Sequence, residues 1–244
     1  MNEVKQFSLP RRLTAEGLGT ALLLMAIVGS GIMGQQLSGG NTGLALLANT
    51  LSTGAALTTL ILIFEKLSGA HFNPAVSLSF ALQRRLSWKD FSFYTAAQIT
   101  GGICGTITAH IMFNLPLITT ATQARTGSGM WVGEIIATFA LIATIIGCLR
   151  TRTEALPYAV GFIIMAGYWY TPSTSFANPA VTLARSLSDT FAGISPEHAP
   201  AFIAAQIVGA ILATLVFVWL YSTKSELFHT PGLHNTQGRR TQKP

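Results

Sequence analysis

The sequence predicts an all-α membrane protein with six transmembrane helices and two re-entrant half-helices, arranged as two inverted repeats. Three observations indicate this fold. Half of the 244 residues are hydrophobic and only 10% are charged, whereas a soluble domain carries about 25% charged residues. The charges also lie in clusters separated by long uncharged stretches. Finally, a set of short motifs occurs twice in the same order, 105 to 118 residues apart.

Six apolar segments can cross a bilayer, which takes about 20 residues in a helix. Glycines are frequent within them, as expected where transmembrane helices approach each other closely. The predicted spans cover residues 15–35, 43–65, 91–113, 131–150, 155–171 and 199–222.

The predicted domain organisation follows from these spans. A channel domain covers residues 14–222, with its two repeats at about 14–113 and 131–222. Residues 1–13 form an N-terminal tail, and the polar, basic residues 223–244 are expected to form a disordered C-terminal tail. The two cysteines lie within spans and cannot build a metal cluster, so neither a metal nor a cofactor is expected.

The net charge of +6 does not indicate a nucleic-acid-binding protein, because the cations are distributed by membrane side. An even number of spans puts both termini on one side, and that side then carries thirteen of the fifteen Lys and Arg residues. Only Arg125 and Arg185 remain on the other side. This asymmetry follows the positive-inside rule, so both tails are predicted to be cytoplasmic.

The internal repeat fixes the architecture. Glu16 near the start of span one is matched by Glu134 near the start of span four, and Asn-Pro-Ala-Val at 73–76 recurs at 178–181. A third string, Ala-Ala-Gln-Ile, occurs in spans three and six. Three spans per half mean that the second half enters the membrane inverted. Two inverted halves place a functional site between them, near the middle of the membrane.

Each Asn-Pro-Ala motif is predicted to begin a half-helix, because Asn is a preferred N-cap and Pro is tolerated at the first helical position. The apolar stretch that follows has about ten residues, or ~15 Å of helix, which cannot span the membrane. The inverted half-helices should therefore meet head to head, where their positive ends repel cations. The Asn amide N–H groups should remain free to donate to a neutral solute. The motif residues are Asn73, Pro74, Ala75, Asn178, Pro179 and Ala180.

Over residues 14–222 the sequence resembles the aquaporin, or major intrinsic protein, family. The resemblance rests on the two Asn-Pro-Ala motifs, the string SGAHFNPAVS at 68–77, and the repeated Glu and Gln residues. One Asn-Pro dipeptide marks many turns, but two at matching points of an inverted repeat are specific. The resemblance implies a six-helix bundle with two half-helices, a pore in each protomer for small neutral solutes, and a homotetramer in the lipid bilayer.

The resemblance also locates the selectivity filter, where the sequence departs from the family. Most members carry Arg directly after the second Asn-Pro-Ala, and this chain has Val181. The constricting aromatic residue of span two corresponds to Thr53, and a third position to Ser175. The fourth falls on Ala166 or Tyr168, depending on how the following connection is aligned, and Tyr168 is taken into the predicted filter. Val for Arg and Thr for an aromatic predict a wider, less polar filter.

The predicted function is a passive channel, not an enzyme, for water and solutes such as glycerol, urea or undissociated arsenous acid. The string from Asn178 to Ile194 resembles the bacterial branch associated with arsenic resistance, which implies the inner membrane of a bacterium. A water-selective channel is the alternative. A secondary transporter also uses inverted repeats, but the span interiors lack carboxylates for ion coupling.

Four further side chains have two interpretations each. Arg185 could overhang the outer mouth and restore cation exclusion, or pair with Asp189 four residues later. Glu16 and Glu134 could be functional, as carboxylates in membrane helices often are. In the family such residues instead support the re-entrant loops, and their duplication favours that role. His71 could gate the cytoplasmic mouth by titration, although bracing of its loop is favoured.

Overall fold

The computed structural model describes residues 7–222, and within them the chain is helical without strands. A short 3-10 turn at 153–155 precedes α6. The prediction of an all-α fold with two short helices among long ones is confirmed. The α-helices are α1 (Leu9–Leu37), α2 (Thr42–Ser68), α3 (Pro74–Leu82), α4 (Trp88–Met112), α5 (Ser128–Thr151), α6 (Leu156–Tyr170), α7 (Pro179–Arg185) and α8 (Ala199–Leu220).

Six of these helices occupy the six predicted spans. Helices α1, α2, α5 and α8 are long and apolar enough to cross a membrane. Helix α6 is shorter, with 15 residues. Helix α4 has 25 residues but begins with charged side chains at Lys89 and Asp90. The sequence pattern therefore located all six segments, although two of them are short or polar for a span.

The first helix starts earlier than the predicted channel boundary at residue 14. Helix α1 begins at Leu9, because Ser8 takes the N-cap position and Pro10 fits the first turn. Arg12 on this turn forms an ion pair with Asp90 of α4 at 3.2 Å. Residues 1–6 of the predicted N-terminal tail and the predicted C-terminal tail at 223–244 lie outside the described residues.

The repeat in the sequence appears as a repeat in helix packing. Helix α1 packs on α4 and α2 in the first half, as α5 packs on α8 and α6 in the second. The closest approaches are equivalent: a Cβ at Gly101 of α4 would overlap the carbonyl of Gly17, and a Cβ at Gly209 of α8 would overlap that of Ile135. Small residues let the backbones touch in this way.

The half-helices α3 and α7 join the two halves. Each packs against both α4 and α8, so each contacts its own half and the opposite one. Thr214 of α8 donates to Ser79 Oγ of α3 at 2.7 Å, and Thr106 of α4 donates to the carbonyl of Ala184 in α7 at 3.4 Å. The N-termini of α3 and α7 consequently face each other in the interior.

Candidate functional site

The two Asn-Pro-Ala motifs meet through their asparagines. The Oδ1 atom of each accepts from the backbone N–H two residues later, at 2.8 Å in α3 and 2.9 Å in α7, with Pro at the first helical position. Asn73 Nδ2 also donates to the carbonyl of Ala177 at 2.7 Å, and Asn178 Nδ2 donates to that of Phe72 at 2.9 Å. The expectation that all amide N–H groups stay free is therefore wrong. Each amide has two N–H groups, and one of them ties the motifs together.

Glu16 binds the first re-entrant loop from α1. It is fully buried, and its Oε1 accepts from Ser68 Oγ at 2.6 Å and from the N–H of His71 at 3.0 Å. Its Oε2 accepts from the N–H of Phe72 at 2.7 Å and from Gln98 Nε2 at 2.8 Å. Four donors thus converge on one carboxyl group.

Glu134 binds the second loop from α5 with the same geometry. Its Oε1 accepts from Ser173 Oγ at 2.6 Å and from the N–H of Phe176 at 2.9 Å. Its Oε2 accepts from the N–H of Ala177 at 2.9 Å and from Gln206 Nε2 at 2.6 Å. The repeated glutamines noted in the sequence, Gln98 and Gln206, therefore each donate a hydrogen bond to the Oε2 atom of the glutamate in the same half of the chain.

His71 lies in the first loop and is largely buried. Its Nδ1 is 3.0 Å from Ser77 Oγ, and its ring packs 4.4 Å from that of Phe80 and 5.5 Å from that of Tyr94, centroid to centroid. It also lines the central cavity described below. These contacts fit a bracing role, and a role as a gate stays a prediction.

A central cavity of about 620 Å³ passes both asparagines. One end is lined by charged groups of the predicted cytoplasmic side, including Lys66, Arg85 and Glu154. The opposite end reaches Arg185, and its walls there come from both halves of the chain. The cavity therefore follows the joined motifs between these two ends.

All four predicted filter residues line this cavity: Thr53, Tyr168, Ser175 and Val181. Each is buried in the protein. The Tyr168 hydroxyl donates to Thr53 Oγ1 at 3.3 Å, so these two side chains lie side by side at the wall. Ala166, the other candidate from α6, is exposed at the protein surface and is not among the residues that line the cavity. The geometry therefore favours Tyr168 at the fourth position.

Arg185 is the last residue of α7 and is only 2% exposed. Its Nε donates to the carbonyl of Ala192, and its Cζ lies 3.4 Å from the centroid of the Phe176 ring. Asp189 accepts two hydrogen bonds from Thr122 instead. The alternative in which Arg185 pairs with Asp189 is therefore wrong, and Arg185 lines the cavity.

Sequence reasoning missed two residues at this end of the cavity. Phe176 lies two residues before Asn178, and the guanidinium of Arg185 packs against its ring. Arg125, in the segment between α4 and α5, has its Cζ 5.0 Å from the same ring centroid. No local motif surrounds Arg125, and its position as one of two cations on the predicted outer side was the only available signal.

The comparisons with known proteins agree with this architecture. The family model described as "Major intrinsic protein" matches residues 3–175 and 150–242. The chain is 51% identical to aquaglyceroporin AqpS of Rhizobium meliloti (strain 1021) over 89% of this chain and 93% of that one. It is 29% identical to aquaporin NIP2-1 of Oryza sativa subsp. japonica over 87% and 70% of the two chains.

A solved structure has the same fold. The crystal structure of the aquaglyceroporin from Plasmodium falciparum superposes with a TM-score of 0.72 and 24% identity, covering 86% of this chain and 96% of the other. Together with the joined Asn-Pro-Ala motifs, the family match shows that the chain belongs to the major intrinsic protein family, whose members are passive membrane channels rather than enzymes.

Proposed function

We propose that this protein conducts water and small uncharged solutes through the central cavity, with a filter wide enough for glycerol, urea or undissociated arsenous acid. The observation that carries the proposal is Val181 in the cavity wall, where most family members have Arg. A valine contributes neither a charge nor a hydrogen-bond donor, and Thr53 on the wall is smaller than an aromatic residue. The printed name of the Rhizobium meliloti relative, aquaglyceroporin, supports this solute class.

The joined motifs support a route for hydrogen-bonding neutral molecules. Asn73 and Asn178 both line the cavity, and each keeps one amide N–H that the crossing bond does not use. Aliphatic side chains such as Leu23, Ile27 and Val160 form much of the remaining wall. A solute that forms hydrogen bonds along one wall and packs against the other loses less on leaving water than an ion does.

A water-selective channel is the second candidate, and Tyr168 favours it. Its ring reaches the wall beside Thr53 and its hydroxyl bonds there, so it takes up part of the width that the threonine leaves. If Tyr168 sets the narrowest point, the loss of bulk at Thr53 and Val181 does not widen the pore.

We further propose that the channel is a homotetramer in the inner membrane of a bacterium, with both termini cytoplasmic. The family supports the tetramer, and the bacterial relative supports the source. The uneven distribution of Lys and Arg supports the orientation. Large apolar side chains exposed on the long helices, such as Leu51, Leu62 and Leu215, offer surface to lipid and to neighbouring protomers.

The experiment is stopped-flow light scattering on reconstituted vesicles, with water, glycerol, urea and arsenous acid as solutes. All four should enter vesicles that contain the wild-type protein faster than they enter protein-free vesicles. Val181→Arg should lower glycerol entry by about tenfold, because one lost contact or added clash in a narrow site amounts to about 1–3 kcal/mol, while water entry persists. Val181→Met lengthens the side chain without adding a charge, so it separates the effect of side-chain size from the effect of charge. Wild-type vesicles that pass only water would support the water-selective candidate, with Tyr168 as its constriction.

A further inference from the structure

Two arginines from distant parts of the chain converge on one aromatic ring at the end of the cavity opposite Lys66. Arg185 comes from the end of α7, and Arg125 comes from the segment between α4 and α5. Their Cζ atoms lie 3.4 Å and 5.0 Å from the centroid of Phe176. Phe176 lines the cavity, so both positive charges stand close to the pore.

Consecutive backbone carbonyls hold the two side chains. Arg185 Nε donates to the carbonyl of Ala192, and Arg125 Nε donates to that of Gly193 at 2.8 Å. Arg125 Nη1 also reaches the carbonyl of Ser173 at 3.4 Å. Among residues 7–222, no carboxylate forms an ion pair with either arginine. Carbonyl groups fix the guanidinium positions but do not cancel their charge.

The guanidinium of Arg185 has an incomplete set of hydrogen bonds within residues 7–222. Its Nη1 is buried and forms no hydrogen bond with the described residues, and the same holds for Ser175 Oγ. Both residues line the cavity. A buried guanidinium N–H without a partner costs a large desolvation free energy. An unpaired donor in a residue that lines the cavity points to a solute or water oxygen as its partner.

We propose that Arg125 and Arg185 form a two-arginine filter that replaces the charge absent at Val181. Arg185 donates a hydrogen bond from its guanidinium to the oxygen of a passing neutral solute. Arg125 is a positioning residue: it packs on the Phe176 ring that also contacts Arg185, and its positive charge adds to the electrostatic potential at this end of the pore. The two positive charges exclude cations such as potassium and hydronium, while the wall at Val181 stays wide. The proposal rests on the channel function proposed above.

The test compares ion leak with neutral-solute flow in the same reconstituted vesicles. Proton entry is followed with a trapped pH-sensitive dye, potassium flux with a trapped potassium indicator, and water and glycerol entry by stopped flow. Arg185→Leu should raise proton or potassium entry by about tenfold, since it removes a charge at the pore wall. Arg125→Leu should raise it by a smaller factor, and Arg125→Lys should keep the barrier because the charge remains.

A control variant and the solute measurements determine how the ion-leak result is interpreted. Arg11→Leu removes an exposed cation of α1 and should change neither ion leak nor solute flow. Retained water flow in the arginine variants shows that they are folded. If Arg185→Leu conducts water but keeps the wild-type barrier to protons and potassium, the two-arginine filter is wrong. A wild-type protein that excludes glycerol would overturn the proposed solute range instead, and the ion measurements would still decide the role of the arginines.

Discussion

At the scale of single residues, the re-entrant loops depend on backbone conformations that ordinary side chains avoid. Phe72 and Ala177 have φ of 50° and 47°, in the left-handed region. Such residues cost of order 1 kcal/mol or more each and persist only where their surroundings hold them. Their carbonyls accept the crossing bonds from the two asparagines, and their N–H groups donate to Glu16 and Glu134. The glutamates therefore stabilise the conformation that joins the motifs.

Replacing Glu134 by Gln tests this account. The four donors that converge on Glu134 need two acceptor oxygens, and an amide offers only one. We expect Glu134→Gln to lower the free energy of unfolding by about 3 kcal/mol, because hydrogen bonds to charged groups contribute about 1.5–3 kcal/mol each. Thermal unfolding in detergent measures the change. Glu197→Gln, at a side chain that is 76% exposed, is the matched control. Equal stability of the two variants would contradict the support role.

At the scale of helices, the close contacts between α1 and α4 and between α5 and α8 depend on glycines: Gly101 and Gly105 of α4, and Gly209 of α8. Gly209→Ala should destabilise the protein by about 1–3 kcal/mol, because the new methyl group would overlap the carbonyl of Ile135, a backbone atom that cannot rotate away. Gly129→Ala in the first turn of α5 meets no atom within 4 Å and favours the helix, so it should be neutral or slightly stabilising. Thermal unfolding of both variants makes the comparison, and equal losses would contradict the close-contact argument.

The two connections at the Arg125 end of the molecule, between α4 and α5 and between α7 and α8, are joined by backbone hydrogen bonds. The connection between α4 and α5 bonds to the one between α7 and α8 through Thr119 N–H to the carbonyl of Leu187 at 3.1 Å and Ser195 N–H to that of Gln123 at 2.8 Å. This pairing holds Arg125 beside the ring of Phe176, although 50 residues separate them in sequence.

Acid should loosen this pairing through Asp189. The Thr122 N–H and hydroxyl both donate to Asp189 Oδ1 at 2.9 Å, which lowers the pKa of Asp189 below its ordinary value. A lowered pKa means that the stabilisation is present above the unfolded pKa and is lost as pH falls through the folded one. Hydrogen exchange at residues 119–123, corrected for intrinsic rates, should accelerate as pH falls below about 4, the ordinary pKa of an aspartate. Asp189→Asn should remove most of that dependence, and Glu197→Gln should preserve it. A dependence that persists in Asp189→Asn would assign it to another group.

At the scale of the whole molecule, the repeat explains what the sequence could predict. Matching glutamates and Asn-Pro-Ala motifs are local patterns, so the six spans, the half-helices and the meeting of the motifs could be read from them. The crossing bonds from Asn73 to Ala177 and from Asn178 to Phe72 could not, because they depend on how the two halves are set against each other. The position of Arg125 depends on the same long-range packing and leaves no periodic signal in its own segment.

The orientation of the whole chain is the last prediction. Lys89 in the first turn of α4 and Glu197 just before α8 are exposed, and the distribution of cations puts them on opposite sides of the membrane. In a background with Cys104→Ser and Cys148→Ser, we expect Glu197→Cys to react with an impermeant maleimide on intact bacterial cells. Lys89→Cys should react only after permeabilisation, and each variant is the control for the other. The reverse pattern would put Arg125 and Arg185 at the cytoplasmic mouth. The observed orientation thus decides whether solutes meet the two arginines before or after the asparagines when they enter the cell.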